Sequence, residues 1–402
     1  MLTALNEKNE LVSLIQFSSR EQLHCIHATS SFICSSCRSP VILKVGKIKT
    51  PHFAHRSRKN CPSSSEGETD NHLKGKKSLY LWLQSIGLNP EVEQVYQQIG
   101  RRADIAVHTG DQEYAIEFQC SPISSKVMLE RSKDYYSLNI IPVWILSYEA
   151  LQLSASGIIK FTEFHQQFLR YSETLKQYFL LSYSSEKNIF IIIYLISPIS
   201  KHSFIVTVEH VLHQSFPFPK FPLTAISLNT DHVGSYILYR EKWIVSRFKY
   251  NQGHKDHFLR KLYEEQETIL LNPPWNGLPL CSNTYFVTHS CEWQTYLYLH
   301  MKKEKALTKE RLLAHFIQLI KQKIIETRQL QINGSIDYAV KSVSEWLKMM
   351  ELCHVVTKQG KMYFINDNCM KHKVETVEKR DEAVKNFMNK YMNDIINLYN
   401  AR

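Results

Sequence analysis

Apolar and polar residues alternate over LVSLIQF (11–17) and HCIHA (24–28), a period of two that predicts short strands in the first 30 residues. The period changes after the polar stretch PSSSEGETDN (62–71). HLKGKKSLYLWLQSIG (72–87) sets Leu73, Leu79, Leu83 and Ile86 at helical spacing, with Gly87 as the stop. EVEQVYQQ (91–98), ADIAVHT (103–109) and YAIEFQCS (114–121) read as strands, separated by turns at Gly100 and at Gly110-Asp111. SSKVMLERSKDYYSL (124–138) reads as a helix with a serine cap, and IIPVWILS (140–147) as a buried strand. Residues 68–148 therefore run helix, three strands, helix, strand. The three strands are close enough for a meander, and the second helix allows a right-handed parallel crossover.

Further along, residues 150–185 are expected to be helical. The apolar run Ile189 to Ile196 is expected to be a buried strand, being far shorter than the ~20 residues that span a bilayer. Residues 188–250 mix expected strands with loops rich in proline and aromatics (SFPFPKFP, 215–222). Residues 254–270 are helical in pattern, NPPWNGLPL (272–280) breaks them, and 300–402 are mostly helical with many Lys and Glu. The class is α/β in a multidomain α+β layout. Three parts are expected: 1–65, 66–150 and 151–402.

At 402 residues the chain can bury more than one core, and 44% hydrophobic with 11% aromatic content excludes a disordered protein. The formal net charge of +11 suits a polyanionic partner, although charge alone argues only for non-specific attraction. No basic segment leads into an apolar one at the start, so no export signal is expected. The nine cysteines then read as reduced thiols of a cytoplasmic protein.

Candidate chemistry sits in the central unit. Residues 117 and 119 of one strand share a face, and a hairpin with the preceding strand brings Asp104 beside Glu117. Two adjacent carboxylates repel unless a cation neutralises them, and hard oxygen ligands suit Mg²⁺ or Mn²⁺. Such an ion polarises a phosphoryl oxygen and lowers the pKa of bound water. The plain alternative is polar residues on an edge strand facing water. On the preceding helix, His72 and Lys76 lie at i and i+4 and share a face, with Glu68 at the start of the same stretch as a further ligand candidate. Glu93 on the first strand is one more acid. Arg131 and Tyr135, also at i and i+4, are candidates for contact with DNA phosphate and with a sugar or base. Glu68, His72 and Lys76 read more simply as solvated helix residues, and Arg131 and Tyr135 read equally as a surface arginine and a half-buried tyrosine.

Asp104, twelve residues, then Glu117-x-Gln119 resembles the motif of the PD-(D/E)xK nuclease superfamily, whose αβββαβ core matches the expected order. Gln119 departs from the superfamily's lysine. An amide hydrogen-bonds but carries no charge, and Lys76 is the best substitute. PHFAH (51–55), ETDNHLKGKKSLYLWL (68–83), RRADIAV (101–107), IEFQCSPIS (116–124), LERSKDYY (129–136) and VWIL (143–146) together resemble the bacterial competence protein CoiA family. PPWNGLPL (273–280) and EWQTYLYL (292–299) extend the likeness more loosely. That family also has the Glu-x-Gln form. The resemblance implies a restriction-endonuclease-like core and metal-dependent, nuclease-like processing of internalised single-stranded DNA in natural transformation and recombination. It also implies DNA-uptake or recombination proteins as partners. A catalytically inactive DNA-binding accessory is the other reading.

Cys34-x2-Cys37 fits half of a zinc site. Cys61 with His52 or His55 supplies the other half. His55 is the choice, because His52-Phe-Ala-His55 turns one imidazole inward and the other toward solvent. A zinc-ribbon-like N-terminal module follows. From Arg38 to Lys59 the chain has seven Lys or Arg and no acid, which suits a DNA-facing module.

Overall fold

The computed structural model describes residues 1–56, 61, 68–151, 157–222, 224–250, 255–328, 330, 337–370 and 374–401. Arg58, Lys59, the expected boundary at 65–66 and most of the polar loop before Glu68 lie outside them.

The N-terminal module is an antiparallel sheet in the order β2-β1-β3-β4-β5. Its elements are β1 (Thr3–Leu5), β2 (Leu11–Ser13), α1 (Arg20–Thr29), β3 (Phe32–Ile33), β4 (Pro40–Lys44) and β5 (His52–His55). Ala4, Leu14, Leu23, Phe32, Val41, Leu43 and Phe53 form its core. HCIHA lies inside α1 and is not a strand. Ser19 and Gln22 form a reciprocal capping box there, which outweighs an alternation that only Leu23 turns into burial.

The central unit contains α2 (Asp70–Ser85), β6 (Glu91–Val92), β7 (Val95–Tyr96), β8 (Arg101–Arg102), β9 (Ile105–Thr109), β10 (Gln112–Gln119), α3 (Ser125–Ser137) and β11 (Ile140–Ser147). Thr69 caps α2, Ser124 caps α3, and Gly87 lies just past α2 at φ +83°. β9 pairs with β6 and with β10 antiparallel. The α3 crossover makes β10 and β11 parallel from Glu113↔Ile140 to Gln119↔Leu146. Within the large sheet this is the expected αβββαβ order, but the first expected strand is broken after Val92 at Glu93 (φ +58°), and β7 pairs with β8 in a separate two-stranded ladder. Leu79, Trp82 and Leu83 of α2 pack on Ile105, Val107, Ile116, Phe118, Val143 and Ile145, one face of the sheet.

The sheet does not end at β11. It continues through β12 (Ile158–Lys160), α4 (Glu163–Gln166), β13 (Arg170–Ser172), β14 (Gln177–Ser184), β15 (Ile189–Pro198) and β16 (Ser203–Leu212). Among the described residues nine strands join, in the order β12-β16-β15-β14-β11-β10-β9-β6 with β13 on β14. The helical expectation for 150–185 is therefore corrected: its described residues form three strands, one short helix and the turns between them. Every residue of β14 is buried, so neither helical nor strand periodicity shows in its sequence. The expected end of the central part at 150 also falls inside a continuous sheet. Ile189–Ile196 is the buried strand its run of apolar residues implied.

The C-terminal region comprises α5 (Thr230–Tyr250), α6 (His257–Glu264), α7 (Ser290–Glu304), β17 (Ala306–Thr308), α8 (Lys309–Lys321), α9 (Asp337–Leu352), β18 (Val356–Gln359), β19 (Met362–Ile365), α10 (Asp367–Met370) and α11 (Val377–Asn400). It is mainly helical, as expected, with a small β17-β19-β18 sheet. Residues 230–250, expected among strands and loops, form one long helix. Its buried stripe is Val233, Tyr236, Arg240 and Ile244, where a β-branched, aromatic and charged set masks the helical period. Among the described residues no helix is long and apolar enough to cross a membrane.

Candidate functional site

The site begins with Gly75. A Cβ there would lie 2.0 Å from the Phe118 ring, so only glycine lets α2 seat this closely on β10. The seating brings His72 and Lys76, one turn apart, to the end of the sheet where β9 begins and β10 ends. The β9–β10 register ends at Ile105↔Ile116, and one step further along it Asp104 faces Glu117.

Asp104 Oδ2 accepts from the Phe118 amide at 3.0 Å and lies 3.0 Å from His72 Nε2, while Lys76 Nζ is 3.8 Å from Oδ1. Burial favours the neutral acid, but His72, Lys76 and Arg131 outweigh it and hold the carboxyl well below its ordinary range. Lys76 is fully buried. Its ammonium donates to Glu68 Oε1 at 2.8 Å and Glu93 Oε1 at 2.5 Å. Burial alone would discharge it, yet Glu68, Glu93 and Asp104 raise its pKa instead. Glu68 also meets the Met1 ammonium at 2.5 Å and Arg102 Nη2 at 3.5 Å. Despite burial, these cations and Lys76 keep it ionised.

Glu93 is the buried anchor between the two N-terminal units. Its carboxylate accepts from the amides of Leu2 (2.8 Å) and Thr3 (2.9 Å) and from the Thr3 hydroxyl (2.8 Å). Burial opposes its charge, but Lys76 and Arg102 lower its pKa to about 2. In the sequence Glu93 stands only as one more acid, and Arg102 is not among the candidate residues. No local pattern marks either one. The only sequence signal for Arg102 is its place in RRADIAV.

Glu117 is clamped from α3. Arg131 Nη2 donates to Oε2 at 2.5 Å and Tyr135 OH donates to Oε1 at 2.5 Å. Burial, helped by the nearby Asp104 charge, raises the Glu117 pKa against the pull of Arg131 and Tyr135. The Arg131 guanidinium also lies over the Trp144 ring, 5.1 Å from its centre. Arg131 keeps 23% exposure, but Tyr135 has none. The expected contact of Tyr135 with a sugar or base is therefore corrected. A side chain sealed beneath its own helix and committed to Glu117 has no surface to offer a ligand. Gln119 shares the Glu117 face, and its amide donates to the Ser121 carbonyl at 2.7 Å.

The donor chemistry fits a hard divalent cation: Asp104 and Glu117 oxygens on adjoining strands, with His72 alongside. Four acids (Glu68, Glu93, Asp104, Glu117) are met here by Lys76, Arg102, Arg131 and the Met1 ammonium, so the chain largely balances this charge by itself.

The second cluster stands in the N-terminal module. Cys34 and Cys37 occupy the turn between β3 and β4, where the Cys34 amide donates to Ser39 O and the Arg38 amide to Cys34 O, both at 2.9 Å. His55 ends β5, paired to Val41. One ligand atom each from Cys34, Cys37, His55 and Cys61 lies within 4.8 Å of the other three. Cys34 and Cys61 sulfurs are 4.0 Å apart and Cys37 Sγ is 3.3 Å from His55 Nε2. Tetrahedral Zn–S bonds of about 2.3 Å put sulfurs roughly 3.8 Å apart, so the spacing suits one ion. Burial acts against the Cys37 thiolate, but hydrogen bonds from Ser39, His55 and Cys61 lower its pKa to about 6. His52, three residues before His55 and so on the other face of the strand, bonds the Thr50 carbonyl at 2.9 Å.

Three family models match the chain in order: the N-terminal domain of competence protein CoiA over 15–64, its nuclease-like domain over 68–224 and its C-terminal domain over 233–384. The chain belongs to the CoiA family. The CoiA nuclease-like domain thus spans both the acid cluster and the strands up to β16. Competence protein CoiA of Bacillus subtilis (strain 168) is 28% identical over 273 residues, 67% of this chain and 72% of that protein. No solved structure matches the chain.

Proposed function

We propose that this CoiA-family protein is a Mg²⁺- or Mn²⁺-dependent DNA nuclease. In this reading it hydrolyses phosphodiester bonds in internalised single-stranded DNA in the cytoplasm during transformation, beside recombination or uptake proteins. The observation that carries the reading is Asp104 facing Glu117 across β9 and β10, with His72 and Lys76 brought to the same end by α2. Asp104 and Glu117 would hold the ion, which supplies Lewis acidity toward a phosphoryl oxygen. His72 orients Asp104. Glu68 and Glu93 fix Lys76, and Lys76 keeps Asp104 ionised. Gln119 positions a water or phosphate by hydrogen bonding. Cys34, Cys37, His55 and Cys61 hold a structural Zn²⁺, and the basic β4–β5 segment lies toward the DNA.

Purified protein incubated with single- and double-stranded DNA and Mg²⁺ or Mn²⁺, beside Asp104→Ala, tests this. Products from the wild type alone are expected. Equal products from both proteins would sink the enzymatic reading.

One observation favours a second reading, a DNA-binding recombination accessory that does not cut. The Lys76 ammonium is enclosed by three carboxylates, and the Gln119 amide is committed to Ser121. Neither then offers a free charge to an attacking water. Salt-dependent DNA affinity without any product would support it.

A further inference from the structure

Arg131 occupies a peculiar position. Its guanidinium sits on Glu117 Oε2 at 2.5 Å, within the electrostatic reach of Asp104, where a divalent ion shared by the two carboxylates would place its own charge. It does not depend on Glu117 alone for its place. The Trp144 ring lies under it, and Trp144 is itself fixed to α3 by a bond from Nε1 to Ser132 Oγ at 3.0 Å. Arg131 is also the one clamp of Glu117 with a solvent-facing edge, since Tyr135 is sealed.

We infer that Arg131 is a resident counter-cation that a divalent ion must displace from Glu117, and that the displaced guanidinium, still stacked on Trp144, becomes a ligand for a phosphate of the nucleic acid. The inference rests on the metal-site reading above. Before loading, the guanidinium neutralises a buried carboxylate that would otherwise be costly to ionise. After loading, two like-charged cations share a poorly hydrated space, and the guanidinium moves off the carboxylate. A planar fork of donors on an aromatic base then meets phosphate oxygens in two parallel bonds. Metal and polynucleotide binding are thereby coupled: each favours the conformer that the other needs.

Mn²⁺ affinity of the full-length protein, read by electron paramagnetic resonance of free Mn²⁺, tests this with and without a single-stranded oligonucleotide. Arg131→Gln should bind Mn²⁺ about tenfold more tightly than the wild type in the absence of DNA, because one competing cation has been removed. The oligonucleotide should tighten Mn²⁺ binding in the wild type and not in R131Q. Equal Mn²⁺ affinity in the wild type and R131Q, with binding abolished by Asp104→Ala, would overturn the inference and leave the metal site standing. No saturable Mn²⁺ binding in either protein would overturn both. If R131Q does not fold, Arg131→Lys keeps the charge but loses the fork, and the same DNA coupling should vanish; coupling retained there overturns the inference.

Discussion

The acid cluster and the thiol cluster are built on opposite principles. Around Glu68, Glu93, Asp104 and Glu117 the chain supplies its own cations, and each carboxylate is already hydrogen-bonded or paired. Around Cys34, Cys37, His55 and Cys61 the sulfurs approach one another, an imidazole, and the Ser39 hydroxyl and backbone. The first cluster is complete as a folded object, so an ion entering it must compete with protein groups. The second has a donor set that one ion would tie together. Binding energy at such a site is folding energy.

The largest expected effect breaks the thiol cluster. Cys34→Ser, or a strong chelator, should unfold the N-terminal module, since structural zinc contributes on the order of 10 kcal/mol in small domains. Metal content and limited proteolysis of residues 1–61 report it; a variant that keeps both its zinc and its protease resistance would refute the site. The acid cluster should respond to its partners rather than to chelation. Glu117→Ala leaves the Arg131 charge and the Tyr135 hydroxyl without their acceptor and should cost about 3–5 kcal/mol in denaturant unfolding. Gly75→Ala drives a methyl into the Phe118 ring and should cost roughly 1–3 kcal/mol. It should also displace His72 and Lys76 and lower activity beyond what the stability loss explains. A stable Gly75→Ala with full activity would contradict the seating of α2.

The smallest effect is one of slope. The folded-state pKa of Glu93 is lowered from 4.5 to about 2, so its stabilisation is complete above the unfolded value and is lost as pH falls between these limits. Melting temperature should drop on acidification from pH 5 to 2.5 more steeply in the wild type than in Glu93→Gln. Parallel curves would remove Glu93 from the network.

Which parts were legible follows from what periodicity reports. β9, β10, α3 and β11 carry one buried face or one apolar run, and their boundaries stand in the residue order. β14 is buried on both faces, and α5 hides an arginine in its apolar stripe, so neither displays its period. In the site, Asp104 and Glu117 were legible as neighbours because a short hairpin fixes their register. His55 was separable from His52 by strand parity alone. Arg131 and Tyr135 were legible as a pair on one helix face, but not as the clamp of Glu117. That contact is a tertiary one, made when the α3 crossover folds over its own strand, and nothing local in LERSKDYY announces it. The partners of Glu93, and Arg102 altogether, were hidden for the same reason, since the contacts run across the chain to Leu2, Thr3 and Glu68.

Glu117 and Gln119 hang from β10, an interior strand of the large sheet, with β11 paired beside both residues and β9 paired as far as Ile116. Such a strand belongs to the slowest-exchanging part of a protein. Arg131 belongs to the helical layer above it. The division implies a stationary floor and an adjustable wall. The reach of the Arg131 guanidinium would then be set by how α3 rides on the sheet, while the strand that carries Glu117 holds its place.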